Sequence, residues 1–327
     1  MIKYLSAKFI QYLVILLLAI SINFALPRAM PGNPLKYLAG EDVALLPESA
    51  RREILQQHGL DKPLWEQYLI YLFNLFQGNL GLSYQQQRAV TAIIFERLPW
   101  TVLLVGSASV LSALIGIIVG TIAAWRRGKK SDIALLASFM FLDSMPSFWL
   151  GMILISLFAV QLRLFPIFGA KTPWEAYIGA DYVLNVLWHL TLPLSTLVLI
   201  SMGGMFLTMR YSMLAVLGED YILMAKAKGL GERKVVYRHA MRNALLPVAT
   251  VLMLNLGAMT GGATVVETVF SYPGLGRLVY EAALSRDYPL LQGGFLLFTM
   301  TVILANIIAD LIYPILDPRV RRVGGRY

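Results

Sequence analysis

The chain has 327 residues, of which 57% are hydrophobic and 14% charged, with a formal net charge of +9 and no cysteine; its mean hydropathy is +0.65. A soluble domain carries about 25% charged residues, so this composition excludes a soluble globular protein. The missing cysteine excludes disulfides, thiolate nucleophiles and thiolate metal sites. What remains is an integral membrane protein with one membrane domain.

Apolar runs near 9–27, 100–124, 133–160, 187–209, 246–269 and 290–316 predict an all-α protein with six transmembrane helices. Lys and Arg in the connections orient them. Arg126, Arg127, Lys129 and Lys130 share one loop, Lys226, Lys228, Arg233, Lys234, Arg238 and Arg242 another, and Arg319, Arg321, Arg322 and Arg326 the tail. With Lys3 and Lys8 they fall on one side of a six-span chain, which places both termini in the cytoplasm. The opposite loop mixes signs: Arg51, Arg52 and Lys62 are answered by Glu41, Asp42, Glu48, Glu53, Asp61 and Glu66. The basic balance is therefore topogenic, and no nucleic-acid partner is implied.

In chain order, residues 1–27 read as an uncleaved signal anchor. The apolar run is as long as a span, and no small-residue cleavage site follows it, only Pro27, Pro31 and Pro34. Residues 28–99 form an extracytoplasmic cap: a proline-rich, non-helical opening, a short helix ended at Gly59, and a second helix from about Pro63 to Phe76. The segment GNLGLS at 78–83 reads as a turn. Residues 100–318 form the membrane core and 319–327 a cytoplasmic tail. The second span begins at Pro99 and Trp100, and its small residues, Gly116 and Gly120 among them, permit close helix packing.

The third span carries Asp143 and Pro146 near its middle. An intramembrane carboxylate faces protein or water, so Asp143 either lines a pathway or pairs with a hydroxyl or backbone group at a proline kink. His189, beside Trp188, reads as an interfacial contact, and His58, His189 and His239 have no metal-ligand spacing. Near the end of the fifth span, Glu267 either lines the outer mouth of a pathway or braces the turn at Pro273–Gly274; the brace is favoured because a turn needs hydrogen-bond acceptors. Asp310 in the last span is expected to pair with another intramembrane polar group.

The stretch from Gly218 to Pro247 is a charged, amphipathic island between two apolar segments. Tyr221, Met224, Ala225 and Lys228 fall at helical spacing on one face, and Ala225 and Ala227 are small enough to admit another protein closely. Gly229 and Gly231 bracket a turn that stops the helix. Glu232 then opens a basic helix that runs to Pro247, where the next span starts. Glu219 serves as a helix N-terminal carboxylate, as a polar contact to a partner, or both.

The order Glu219, Ala225, Ala227, Gly229, Leu230 and Pro247 resembles the EAA loop of the permease subunits of ATP-binding-cassette importers. More narrowly, the chain is similar to the first permease of the dipeptide, oligopeptide and nickel importer family. GLDKPLWEQY from Gly59 resembles that family's LGLD-x-P segment, and GNLGLS its GDLG-x-S turn, with Asn79 in place of aspartate. Ser144, Pro146 and Phe148, the run Val266 to Gly276, Arg286 to Pro289, Asp310 to Tyr313 and Leu316 to Arg319 extend the likeness over nearly the whole chain.

The resemblance implies a type I importer permease fold whose 218–247 loop docks on cytosolic ATPase subunits. It also implies a second homologous permease that completes the pore and an extracytoplasmic solute-binding protein that delivers the solute. ATP and magnesium are then held by the ATPase subunits, and the sequence itself carries no G-x-x-x-x-G-K-[ST] phosphate loop. Short peptides are the expected solute; nickel or other metal-chelator complexes, glutathione and oligosaccharides are the alternatives. A stand-alone secondary transporter is disfavoured by the lack of internal repeats, and an intramembrane enzyme by the lack of a catalytic constellation.

Overall fold

A computed structural model describes residues 2–29, 47–57, 61–175 and 177–316. Among them the chain is helical: α1 (Ile2–Ala29), α2 (Glu48–Gln57), α3 (Leu64–Phe76), α4 (Val90–Trp125), α5 (Lys130–Asp143), α6 (Ser147–Leu154), α7 (Ala180–Leu217), α8 (Asp220–Ala227), α9 (Met241–Gly262), α10 (Thr264–Val269), α11 (Leu275–Leu284) and α12 (Tyr288–Leu316). Two π-helical stretches, Ile155–Gln161 after α6 and Val235–Ala240 before α9, continue those rods. The tail from 317 onward, the Gly59 helix stop and most of the proline-rich opening lie outside the described residues. Pro27 and Arg28, read as non-helical, belong to α1.

Each of the six apolar runs lies on helix, but their boundaries move. The helices α4, α7 and Tyr288–Ile308 of α12 are long and apolar enough to cross a membrane alone, and α1 contributes the shorter apolar stretch Ile10–Leu26. The third run is not one rod: α5 and the helix Ser147–Gln161 meet at 96°. Pro146 lacks the N–H that would continue α5, and its φ of −61° suits the start of α6 instead. Pro99 and Pro247, expected at span starts, lie inside α4 and α9. Each leaves one carbonyl a turn earlier without its helical donor rather than ending the helix.

The chain folds as two compact units, Met1–Pro99 with Gly274–Ile303, and Trp100–Pro273 with Leu304–Tyr327. The first has a core of Val90, Ile93 and Ile94 from the start of α4 with Leu275, Leu278 and Leu291. Its polar fastening is Asp287, fully buried. The Ser83 hydroxyl donates to its carboxylate, as do the N–H groups of Tyr84 (3.1 Å), Gln85 (3.2 Å) and Leu290 (3.3 Å). The turn read at 78–83 is present, with Gly78 and Gly81 at φ +72° and +82°.

In the second unit α4 lies so close to α7 that a Cβ on Gly116 would stand 2.5 Å from Met205 Cβ, and one on Gly120 2.8 Å from the Phe206 carbonyl. The small residues of α4 thus do what their sequence pattern predicts. Phe139 of α5 stacks on Phe206 with centroids 4.4 Å apart. Asp132 and Arg210, both buried, form a two-pronged ion pair at 2.8 and 2.9 Å between α5 and α7. The Gly128 N–H also donates to Asp132, at 3.1 Å.

Candidate coupling site

Helix α8 begins at Glu219, whose backbone is extended (φ −77°, ψ 146°) and whose side chain makes no capping bond. The Glu219 carbonyl accepts from Ile222 N–H at 3.0 Å and Leu223 N–H at 3.3 Å. Its carboxylate is exposed, in the first-turn position that suits the helix dipole.

The far end is a Schellman cap. Gly229, at φ +74°, donates to the Lys226 carbonyl at 3.0 Å, and Leu230 N–H reaches the Ala225 carbonyl at 3.4 Å. A Cβ on Gly229 would meet nothing within 4 Å, so the glycine is required by backbone conformation alone.

The faces of α8 differ from the sequence reading in one respect. Ala225 does not share the exposed face with Tyr221 and Met224. It points inward with Ile222 into a core of Met209, Met213, Val235, Val236 and Ala240, which also receives Leu230. The small side chain lets α8 lie close on its own protein. The exposed face consists of Tyr221, Leu223, Met224, Ala227 and Lys228, with Leu223 70% and Met224 62% exposed. Tyr221 is held in place by Asn243 of α9, whose amide donates to its hydroxyl at 2.7 Å. Lys226 stands 5.8 Å over the Trp125 ring at the end of α4. Pro247 is exposed on α9, apart from the cap at Gly229.

A pocket of about 250 Å³ opens beside this region, lined by Thr121, Trp125, Arg126, Glu232, Arg233 and Tyr237. In the other unit a cleft of about 390 Å³ is walled by Arg28, Gln67, Tyr71, Asn74, Tyr84 and Gln292 among others. Burial pushes the Tyr84 phenol up to about 12, so it stays a neutral donor there. No group of three or more metal-ligating side chains occurs among the described residues.

The two candidate intramembrane acids separate. Asp143 ends α5 at the sharp bend, exposed, its Oδ1 3.2 Å from where a Cβ on Gly203 would stand. Glu267 is fully buried and accepts from the Thr101 hydroxyl of α4 at 2.7 Å. Its side chain ties α10 to α4, and its backbone carbonyl serves the turn, accepting Tyr272 N–H at 2.7 Å. Burial, with the neighbouring Glu267 carboxyl, pushes the Tyr272 phenol up. His189 is buried, with Nδ1 2.9 Å from the Asn185 carbonyl, a satisfied core histidine. The Asp132–Arg210 pair and the Asp287 knot were not singled out from sequence. A lone arginine at the end of an apolar run was the available signal for the first.

The family model described as "Binding-protein-dependent transport system inner membrane component" matches residues 116–322, and its N-terminal companion matches residues 1–105. The chain is 38% identical over 317 residues to the dipeptide transport system permease protein of Escherichia coli K12, covering 92% of this chain and 93% of that one. It is 35% identical over 322 residues to the oligopeptide transport system permease protein of Bacillus subtilis 168, covering 98% and 99%. The crystal structure of an amino acid ABC transporter with histidines shares the fold, with a TM-score of 0.51 at 15% identity over 68% of this chain and 94% of that one. A helical membrane chain with these matches along its length belongs to the family of binding-protein-dependent transport system inner membrane components.

Proposed function

We propose that the chain is the pore-forming permease subunit of an ATP-driven, binding-protein-dependent importer of di- and oligopeptides. The observation that carries this reading is the exposed Tyr221, Leu223 and Met224 face of a helix whose other face is locked into its own protein. A helix fixed on one side and bare on the other transmits a push. A cytosolic ATPase subunit seated on that face moves α8, and Ile222 and Ala225 pass the displacement to Met209 and Met213 near the end of α7. Met205 and Phe206, a turn further along α7, carry it to α4 at the close contact with Gly116 and Gly120.

The peptide solute is supported by relatives named as dipeptide and oligopeptide permeases. The same reading supplies the partners: a second homologous permease, one or two cytosolic ATPase subunits that bind ATP and magnesium, and an external solute-binding protein. Both termini face the cytoplasm, on the strength of the Lys and Arg bias. Asp143, exposed at the α5–α6 bend, is the residue proposed to face the solute pathway, whereas Glu267, buried, ties α10 to α4.

The test is native mass spectrometry of the tagged chain extracted from its own membranes, followed by uptake of a labelled dipeptide into liposomes carrying the assembly and internal ATP. A second permease, ATPase subunits and ATP-dependent uptake are expected. A chain reproducibly free of any ATPase under conditions that preserve other such complexes would overturn the reading.

A further inference from the structure

We propose that α3 is a membrane-interface helix, its apolar stripe immersed in the outer-leaflet lipid rather than standing in water as part of a soluble cap. At 13 residues it spans about 20 Å, too short to cross a bilayer. Trp65, Leu69, Phe73 and Phe76 recur at the spacing of one helical face and are 66%, 54%, 64% and 85% exposed. A soluble surface rarely carries so continuous a stripe of large apolar side chains.

The depth of α3 follows from what its other face touches. Tyr68 packs edge-on against Phe24 of α1 at 5.1 Å, Tyr71 meets the same ring at 5.6 Å, and the Tyr68 and Ser21 hydroxyls pair at 2.7 Å. Higher up, the Arg28 guanidinium donates to Gln67 at 3.1 and 3.2 Å. Ser21 lies five residues inside the end of the apolar stretch Ile10–Leu26. At 1.5 Å per residue the Tyr68 contact is therefore about 7 Å below the end of that stretch, within the roughly 5–10 Å to which interfacial helices bury their apolar face.

Two further features single out lipid as the occupant. The stripe contains no glycine, alanine or serine, the residues that membrane helices present to one another, which argues against a second permease on this face. Its surroundings also continue as a lipid-facing surface: α1 leaves Leu18, Ile22 and Leu26 exposed at the heights where α3 is attached. The one carboxylate of α3, Glu66, is drawn to the N-terminal end by Lys62 at 2.6 Å. The polar edge, Gln67, Tyr71 and Asn74, turns to the cleft that Arg28 lines, so the helix is divided into a lipid side and a water side.

The absence of cysteine permits a direct test. Single cysteines at Leu69, Phe73 and Phe76 carry a nitroxide in the full chain with its co-purifying subunits, reconstituted in phosphatidylethanolamine and phosphatidylglycerol liposomes. The cysteine-free parent supplies the background, and a label at Lys62 the aqueous reference. All three labels are expected to collide with oxygen several-fold more than with a water-soluble nickel chelate, the reverse of Lys62. Nickel access at any of the three matching Lys62 would make the segment an aqueous cap. Loss of both collisions would mean that protein covers the stripe. Either result overturns the proposal.

Discussion

Asp287 and Asp132 are both buried carboxylates, and their surroundings differ in kind. Asp287 collects neutral donors, a hydroxyl and three backbone N–H groups, and so holds the 83–85 loop against the start of α12. Asp132 meets a guanidinium side-on, through Nε and Nη2, and so fixes the register of two long helices, α5 and α7. The first arrangement spreads a charge over several dipoles, and losing one of them is tolerable. The second places most of the compensation in one partner, beside a single backbone N–H, and losing that partner strands a buried charge. Helix α8 uses neither device. It is seated by methionine, valine and isoleucine side chains and by one hydrogen bond, from the Asn243 amide to the Tyr221 hydroxyl.

This contrast can be broken in order of cost. Arg210→Met is expected to destabilise the purified chain by about 3–5 kcal/mol, because Asp132 is left uncompensated. Adding Asp132→Leu should restore most of the loss in a thermal melt, and a double variant no better than the single would refute the ion-pair account. Asp287→Ala removes the acceptor of four donors and should cost about 2–3 kcal/mol. Hydrogen exchange should then rise in 83–87 and 287–291 and leave α8 unchanged; a global rise would show that the knot is not local.

Smaller effects bear on coupling. Gly229→Ala forces a Cβ into the left-handed conformation and should cost about 1 kcal/mol, with peptide uptake lowered because the end of α8 shifts. Met224→Ala lies on the exposed face and should change stability by less than about 0.5 kcal/mol while lowering ATP-driven uptake several-fold. Unchanged uptake in Met224→Ala would remove the basis for reading that face as the ATPase seat. Ala225→Asp is a poor probe of docking, since the residue sits inside the protein's own core and the change buries an unpaired charge.

Much of the coupling region was legible in the sequence. The helix from Asp220 to Ala227, its stop at Gly229 and its exposed Tyr221 and Met224 follow from spacing and from the one residue type that tolerates positive φ. Ala225 was misplaced because helical periodicity tells which residues share a face, and a short helix with apolar residues on both faces does not declare which one is inside. The bond between Glu267 and Thr101 was illegible for a related reason: Thr101 is 166 positions away, and local turn chemistry is silent about it.

The sequence by itself determined that this chain is a helical membrane protein, where its apolar runs lie and where the charged island at 218–247 interrupts them. Those properties depend on composition and on periodicities of a few residues, which the bilayer and the backbone impose locally. The tertiary structure alone decided that Pro146 ends one helix while Pro99 and Pro247 do not end theirs, since a missing N–H can be tolerated only where the rest of the helix is held by packing. It alone paired Asp132 with Arg210 and Ser83 with Asp287, and set α3 against α1. Contacts between residues tens to hundreds of positions apart leave no period in the chain.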